Sequence, residues 1–376
     1  MRFLLNLLLC ILLLGCRPST PKIVLDIPEA SALPLKAILW KLQLTDSGWQ
    51  KVRFDSMAVT RKPFDWQLRH SQSFIANLTL YNAKGNIVGF TGDFIYSDAV
   101  LRVKPLSNEQ PIQLKGYENA TSMTVEGGEN HLLDAKGFMA KPDFIPLDRA
   151  VDILEKATPI SPKTRPLQER WEAYQRRTYT DVVAHRKAYY TLYRLTDLTH
   201  ALPYPLIEKY YKALDPSLKN TPEGNYVLGL INSSKMIEAG ILPGFEVLDK
   251  SRKPHRFTTL LTKKYYLLDF WASWCKPCRA QFPELRSLYQ AIDTNKLQLI
   301  SISIDKNDRH WQQALQEEKL AWHNYLQKDV SLQTKLLISY VPQNILLDEN
   351  GKIISRNINL QDFKKFLASK GFLKKR

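Results

Sequence analysis

The sequence predicts an α/β C-terminal domain, a mixed sheet with helices on both faces, preceded by an antiparallel β-sandwich-like domain and a helical connector. Three observations predict it. Short runs of branched and aromatic residues, separated by turn signals, fill residues 36–125. Apolar residues at helical spacing dominate the middle of the chain. Strand-like and helix-like segments then alternate from about residue 245 onward.

The first residues stand apart from all three. Arg2 begins a leucine-rich run over residues 3–14 that closes on Leu13-Leu14-Gly15-Cys16 and turns polar at Arg17-Pro18-Ser19-Thr20. This pattern reads as a secretory signal. It resembles a bacterial lipobox, which implies cleavage before Cys16 and lipidation of that cysteine. Residues 1–16 are therefore expected to be signal and lipobox. Residues 17–35, with several Pro and Ser, are expected to be a tether. The implied location is the cell envelope, lipid-anchored and facing the periplasm.

The β-rich domain is expected over residues 36–145. Its runs are 38–44, 49–59, 64–68, 74–81, 87–96 and 99–103. Asp46-Ser47-Gly48, Asn82-Ala83-Lys84-Gly85 and Ser97-Asp98 supply turns between them. No catalytic constellation is legible here. Asp55, Asp65 and Asp93 are isolated acids, expected in turns or on solvent faces.

The connector is expected over residues 146–236. Helical spacing runs through 147–156, 168–195 and 206–214, with a Pro-rich break at 159–166. Thr221-Pro222-Glu223 reads as an N-cap followed by Pro at the first helical position, opening a helix to about Ser234. Trp171, Tyr174, Tyr189, Tyr190 and Tyr193 form a stripe of the kind that packs against a neighbour.

Residues 237–376 carry the last pattern. Strands are expected at 245–248, 265–271 and 297–304, the last a continuous apolar run of the kind buried on both faces. Helices are expected at 276–292 and 311–318. Segments 344–347 and 352–356 flank Asp348-Glu349-Asn350-Gly351 as a hairpin. A helix over 360–370 stops at Gly371.

Cysteine usage narrows the chemistry. Of four cysteines, Cys10 lies in the signal, Cys16 in the lipobox, and Cys275 and Cys278 form a lone C-x-x-C. In an exported chain of 376 residues this points to a redox centre rather than a disulfide scaffold. The pair falls where an apolar strand runs into a helix. A sulfur at that helix N-terminus meets unpaired N–H groups and the positive end of the macrodipole, and Lys276 adds charge. All three favour the thiolate. Cys278 is one helical turn on, within reach of Cys275.

The string Asp269-Phe270-Trp271-Ala272-Ser273-Trp274-Cys275-Lys276-Pro277-Cys278 closely resembles the active-site string of the thioredoxin superfamily. Pro283 and Val341-Pro342 match that family's helix proline and cis-proline loop. The resemblance covers residues from about 239 onward and makes the expected C-terminal fold thioredoxin-like. With the β-region and connector, the chain is similar to exported, membrane-tethered thiol:disulfide interchange lipoproteins. The resemblance implies that Cys275 attacks, Cys278 resolves and buried Asp269 takes the resolving thiol's proton. It implies that Trp274, Val341 and a cis Pro342 form the substrate-docking surface, while Trp271 packs in the core. Lys276 stands where ordinary thioredoxin has glycine, so the potential does not carry over. The implied function is reduction of disulfides in exported client proteins, with a membrane electron donor and no cofactor.

Half a zinc site would need two further ligands, but the seven histidines form no H-x-x-x-H pair and there is no second C-x-x-C. A peroxidase of related fold would place Thr or Ser three residues before its reactive cysteine, where this chain has Ala272. An indirect antioxidant role stays open, as does an envelope binding lipoprotein whose β-domain does the work. Asp305, His310 and His323 are expected at the surface or in turns. The formal charge of +16 reads as a solvated basic surface, and export argues against nucleic acid as partner.

Overall fold

The computed structural model describes residues 22–26, 33–45, 48–60, 64–67, 73–96, 100–106, 117–128, 165–262 and 264–374. The expected signal and lipobox, Cys16 included, and the expected helix at 147–156 lie outside them. The chain divides into two compact units, Met1–Gln43 with Trp49–Pro142 and Glu169–Arg194, and Leu44–Gly48 with Asp143–Gln168 and Leu195–Arg376.

The first unit is built on strands β1 (Lys22–Leu25), β2 (Leu35–Thr45), β3 (Gly48–Val59), β4 (Phe64–Gln67), β5 (Phe74–Tyr81), β6 (Ile87–Thr91), β7 (Phe94–Tyr96), β8 (Val100–Pro105) and β9 (Tyr117–Glu126). They form one nine-stranded sheet in the order β3-β2-β5-β6-β9-β8-β1-β4, with β7 also on β5. All nine feed one apolar core, through Ile23, Leu39, Val59, Phe64, Phe74, Val88, Phe94, Leu101 and Met123 among others. The sheet therefore curls around a single core in place of two facing sheets. It is mainly antiparallel, but β1–β8 and β6–β9 pair in parallel.

Three local expectations change. Part of the expected tether is β1, because Ile23, Val24 and Leu25 are apolar enough to be buried between β8 and β4. The single run 87–96 splits into β6 and β7 at Gly92-Asp93. Asp55 sits half-buried on a strand and accepts from the Trp66 indole at 3.1 Å, whereas Asp65 is on a solvent face as expected and pairs with Lys22 at 2.8 Å.

Helices follow: α1 (Arg165–Ala184), α2 (Tyr189–Leu198), α3 (Tyr204–Ala213), α4 (Pro216–Lys219) and α5 (Pro222–Glu238). The run expected at 168–195 breaks after Ala184, where the His185 carbonyl accepts from Ala188 N–H at 2.9 Å and the Thr191 hydroxyl at 2.8 Å. Trp171 and Tyr174 stack at 5.6 Å. Thr221 caps α5, its hydroxyl accepting from Gly224 N–H at 3.1 Å, with Pro222 in the first turn.

The second unit holds a seven-stranded mixed sheet. Its strands are β10 (Glu246–Leu248), β11 (Pro254–Arg256), β12 (Tyr265–Trp271), β13 (Leu297–Ser303), β14 (His323–Gln327), β15 (Gln343–Leu347) and β16 (Ile353–Arg356). The order is β11-β10-β14-β13-β12-β15-β16, with β12–β13 and β13–β14 parallel. Helices α6 (Lys276–Ala291), α7 (Asp308–Glu318), α8 (Ser331–Leu336) and α9 (Leu360–Lys370) complete it.

The period of two along β12 sorts its side chains. Tyr266, Leu268 and Phe270 join one core with Ile300, Ile302 and α8 residues Leu332 and Leu336. Leu267 and Trp271 join the other, with Phe282 and Leu285 of α6, Trp311 of α7 and Phe363 of α9. Helices thus cover both faces. Asp269 shares the face of Leu267 and Trp271, which is the face that carries α6.

Candidate active site

Strand β12 runs into α6 through a tight turn in which Cys275 N–H donates to the Ala272 carbonyl at 3.0 Å. Cys275 is the N-cap of α6, and its Sγ accepts from Cys278 N–H at 3.2 Å. Pro277 occupies the first turn, where a missing N–H removes no helical bond. The two sulfurs are joined as a disulfide, with Cα atoms 5.3 Å apart. Both cysteines are buried in this oxidised form, and the neighbouring Trp274 is 65% exposed. Lys276 is exposed and Trp271 is fully buried against Phe282.

Asp269 lies beneath this helix. It pairs in register with Ser301 of β13 on one side and Asn344 of β15 on the other. The Ser301 hydroxyl donates to Oδ2 at 2.8 Å and in turn accepts from the Trp322 indole at 2.8 Å. Burial pushes the Asp269 carboxyl from the usual 3.8 up to about 6, and the Ser301 bond restrains the rise. A cavity of about 180 Å³, lined by Gln281, Leu285, Asn344, Ile358 and Phe363, reaches Asp269 from the side.

The loop before β15 completes the surroundings. The Val341–Pro342 peptide is cis. The β12–β15 ladder ends at Phe270↔Gln343, so Pro342 follows at the end of β12 where the active-site turn begins. Val341 packs against the same core cluster that holds both cysteines, and Tyr340 before it is 60% exposed. Arg356 of β16 supports this loop from below, its Nη2 donating to the Leu336 carbonyl at 2.8 Å.

The structure thus gathers Asp269, Cys275, Cys278, Trp274, Val341 and Pro342 at one end of the sheet. Cys16 lies outside the described residues. His310 and His323 are exposed. Asp305 differs from expectation: it is 3% exposed and hydrogen-bonded to the active-site turn. No local pattern marks it, because its contacts with the active-site turn come from Ser273, 32 residues away in sequence. Among the described residues, no group of three or more His, Cys, Asp or Glu is placed to hold a metal ion.

The similarities to known proteins fall on about a third of this chain. Residues 263–353 match the thioredoxin-like family model. The thiol-disulfide oxidoreductase ResA of Geobacillus thermodenitrificans is 24% identical over 130 residues, which cover 34% of this chain and 74% of that protein. The protein of the same name from Bacillus thuringiensis is 26% identical over 133 residues, covering 35% and 75%. A solved thiol-disulfide oxidoreductase from Bacteroides fragilis aligns at 26% identity over 34% of this chain and 98% of its own, with a TM-score of 0.31. With the family match over residues 263–353 and the paired sulfurs, the C-terminal unit is a thioredoxin-like domain of the thioredoxin superfamily, and the chain is an oxidoreductase.

Proposed function

We propose that this chain reduces disulfides of exported client proteins in the cell envelope. The observation that carries the reading is the Cys275–Cys278 pair at the N-terminus of α6, above a buried carboxyl whose pKa burial brings to about 6. A carboxyl in that range exchanges protons near neutral pH.

The reduced pair acts in two steps. Cys275 Sγ, as thiolate, attacks one sulfur of the client disulfide. A mixed disulfide forms, and the client's other sulfur leaves as a thiolate that takes a proton from water. Cys278 then gives its proton to Asp269, and its sulfur attacks Cys275 Sγ. The mixed disulfide breaks, the client's second thiolate departs, and Cys275–Cys278 closes as a disulfide. Two electrons pass to the client. A dithiol-class donor at the membrane returns them by the same exchange in reverse.

Trp274 and the Val341-Pro342 loop form the docking surface. An extended client segment pairs with the Val341 backbone as an added strand. Lipid on Cys16 holds the protein to the membrane, facing the periplasm, since each buried methylene adds about 0.8 kcal/mol.

Trapping tests the reading. Cys278→Ala leaves the mixed disulfide unresolved, so it should accumulate client adducts on Cys275, and Cys275→Ser should accumulate none. A Cys278→Ala protein with a reactive Cys275 that captures no protein would refute client exchange. The potential fixes direction: a value near about −270 mV supports reduction, and one near about −120 mV means disulfide insertion instead.

A further inference from the structure

A second carboxylate is built into the active-site turn, and its environment is opposite to that of Asp269. Asp305 follows β13 by two residues and is buried. Its Oδ2 accepts from Ser273 N–H at 2.8 Å and from the Ser303 hydroxyl at 2.6 Å. Its Oδ1 accepts from the Ser273 hydroxyl at 2.7 Å. Asp305 N–H donates back to Ser303 Oγ at 3.0 Å. Every contact to the carboxyl is a donor, an arrangement that suits an acceptor-only, ionised group. Asp269 has a single hydroxyl donor in an apolar setting. Two neighbouring carboxyls in contrasting settings take contrasting roles.

We propose that Asp305 is a positioning residue that clamps the turn through Ser273 and sets the reduction potential of Cys275–Cys278 by holding a negative charge on the turn that carries Cys275. Ser273 lies two residues before Cys275, between Ala272, whose carbonyl anchors Cys275 N–H, and exposed Trp274. A clamp at Ser273 therefore fixes both the sulfur and the docking indole. The anion opposes thiolate formation, which disfavours the reduced dithiol and makes the pair a stronger reductant. The helix N-terminus and Lys276 pull the other way. Asp305 thus biases the pair toward donating electrons.

The inference rests on the thiol-exchange reading above, and the test separates the two. Asp305→Asn removes the charge and keeps the clamp: its amide oxygen accepts from Ser273 N–H and Ser303, and its NH2 donates to Ser273 Oγ. Ser273→Ala keeps the charge and removes one donor that neutralises it. The intact chain is equilibrated with defined glutathione buffers, and its reduced fraction is read by thiol alkylation. Asp305→Asn should favour the dithiol about tenfold, a shift of about 30 mV toward oxidising values. Ser273→Ala should shift the equilibrium about two- to threefold in the opposite direction.

A purely structural role would move both variants in the same direction or neither. An unshifted Asp305→Asn, or shifts of equal sign, overturns the proposal. Should Asp305→Asn fail to fold, an unshifted or more oxidising Ser273→Ala overturns it alone. A wild-type chain that never exchanges with glutathione overturns both readings, whereas one that exchanges with unchanged variants overturns this one only.

Discussion

Asp269→Asn should stabilise the C-terminal unit in a pH-dependent way, and the size of the effect follows from its burial. The carboxyl titrates near 3.8 in an unfolded chain and is pushed up to about 6 in the folded one. The folded state therefore binds the proton more tightly. Stability from this group is fully present below about pH 4 and is lost as pH rises through about 6. The difference of about two units corresponds to about 3 kcal/mol above that range. Asn carries no charge to desolvate, and its amide oxygen still accepts from Ser301. The gain from the substitution should be about 3 kcal/mol at about pH 7.5, about 1 at pH 4.5 and close to zero below pH 4. Native-state hydrogen exchange on the intact oxidised chain reads it locally, through peptides from β12 and β13. At about pH 7.5 their opening constants should fall about a hundredfold. Equal protection in the variant and wild type at that pH would refute burial as the origin of the raised pKa. A gain that persists undiminished below pH 4 would refute the titration itself.

Two further outcomes are expected. Arg356→Met removes the charged donor from the Leu336 carbonyl beneath the Val341-Pro342 loop. A bond of that kind contributes about 1.5–3 kcal/mol, so kcat/KM for a disulfide-bonded protein client should fall about tenfold while exchange with glutathione is unchanged. Gly224→Ala puts a Cβ against the Leu218 and Lys219 carbonyls. The obstacle is backbone and cannot swing aside as a side chain would, so thermal unfolding should show a loss of about 2 kcal/mol or more, the size typical of overpacking.

Much of the C-terminal unit was legible because its signals are local. Helix α9 is bounded by Asn359, whose side chain accepts from Asp362 N–H, and by Gly371 at φ 61°. Strands β12 and β13 are mostly apolar, as strands buried on both faces are, with Asp269 and Ser301 as buried polar exceptions. Strand β14 escaped notice because His323-Asn324-Tyr325-Leu326-Gln327 reads as polar. The partner of its buried Gln327 amide comes from a distant segment, with Nε2 donating to the Ile304 carbonyl at 2.7 Å. Strand β1 was missed for a related reason: its place in the sheet is fixed by distant neighbours. In the site, Asp269 could be found from its place in the active-site string. Asp305 could not, because Ser273 is brought to it only when β12 and β13 pair in register.

The position of β1 bears on the order of events during synthesis. Lys22–Leu25 lies between β4 and β8, in register with Gln67 to Phe64 on one side and Val100 to Val103 on the other. At roughly 5–20 residues per second, the ribosome delivers the first of these neighbours seconds after β1 and the second about twice as late. Through that interval Ile23, Val24 and Leu25 have no completed sheet to enter, and they present an apolar strand to whatever else is at hand. The first of the described strands to be made is among the last to be sealed. A nascent chain stalled before Val103 should be the one that aggregates or recruits a holding chaperone, whereas one released beyond it has both neighbours in place.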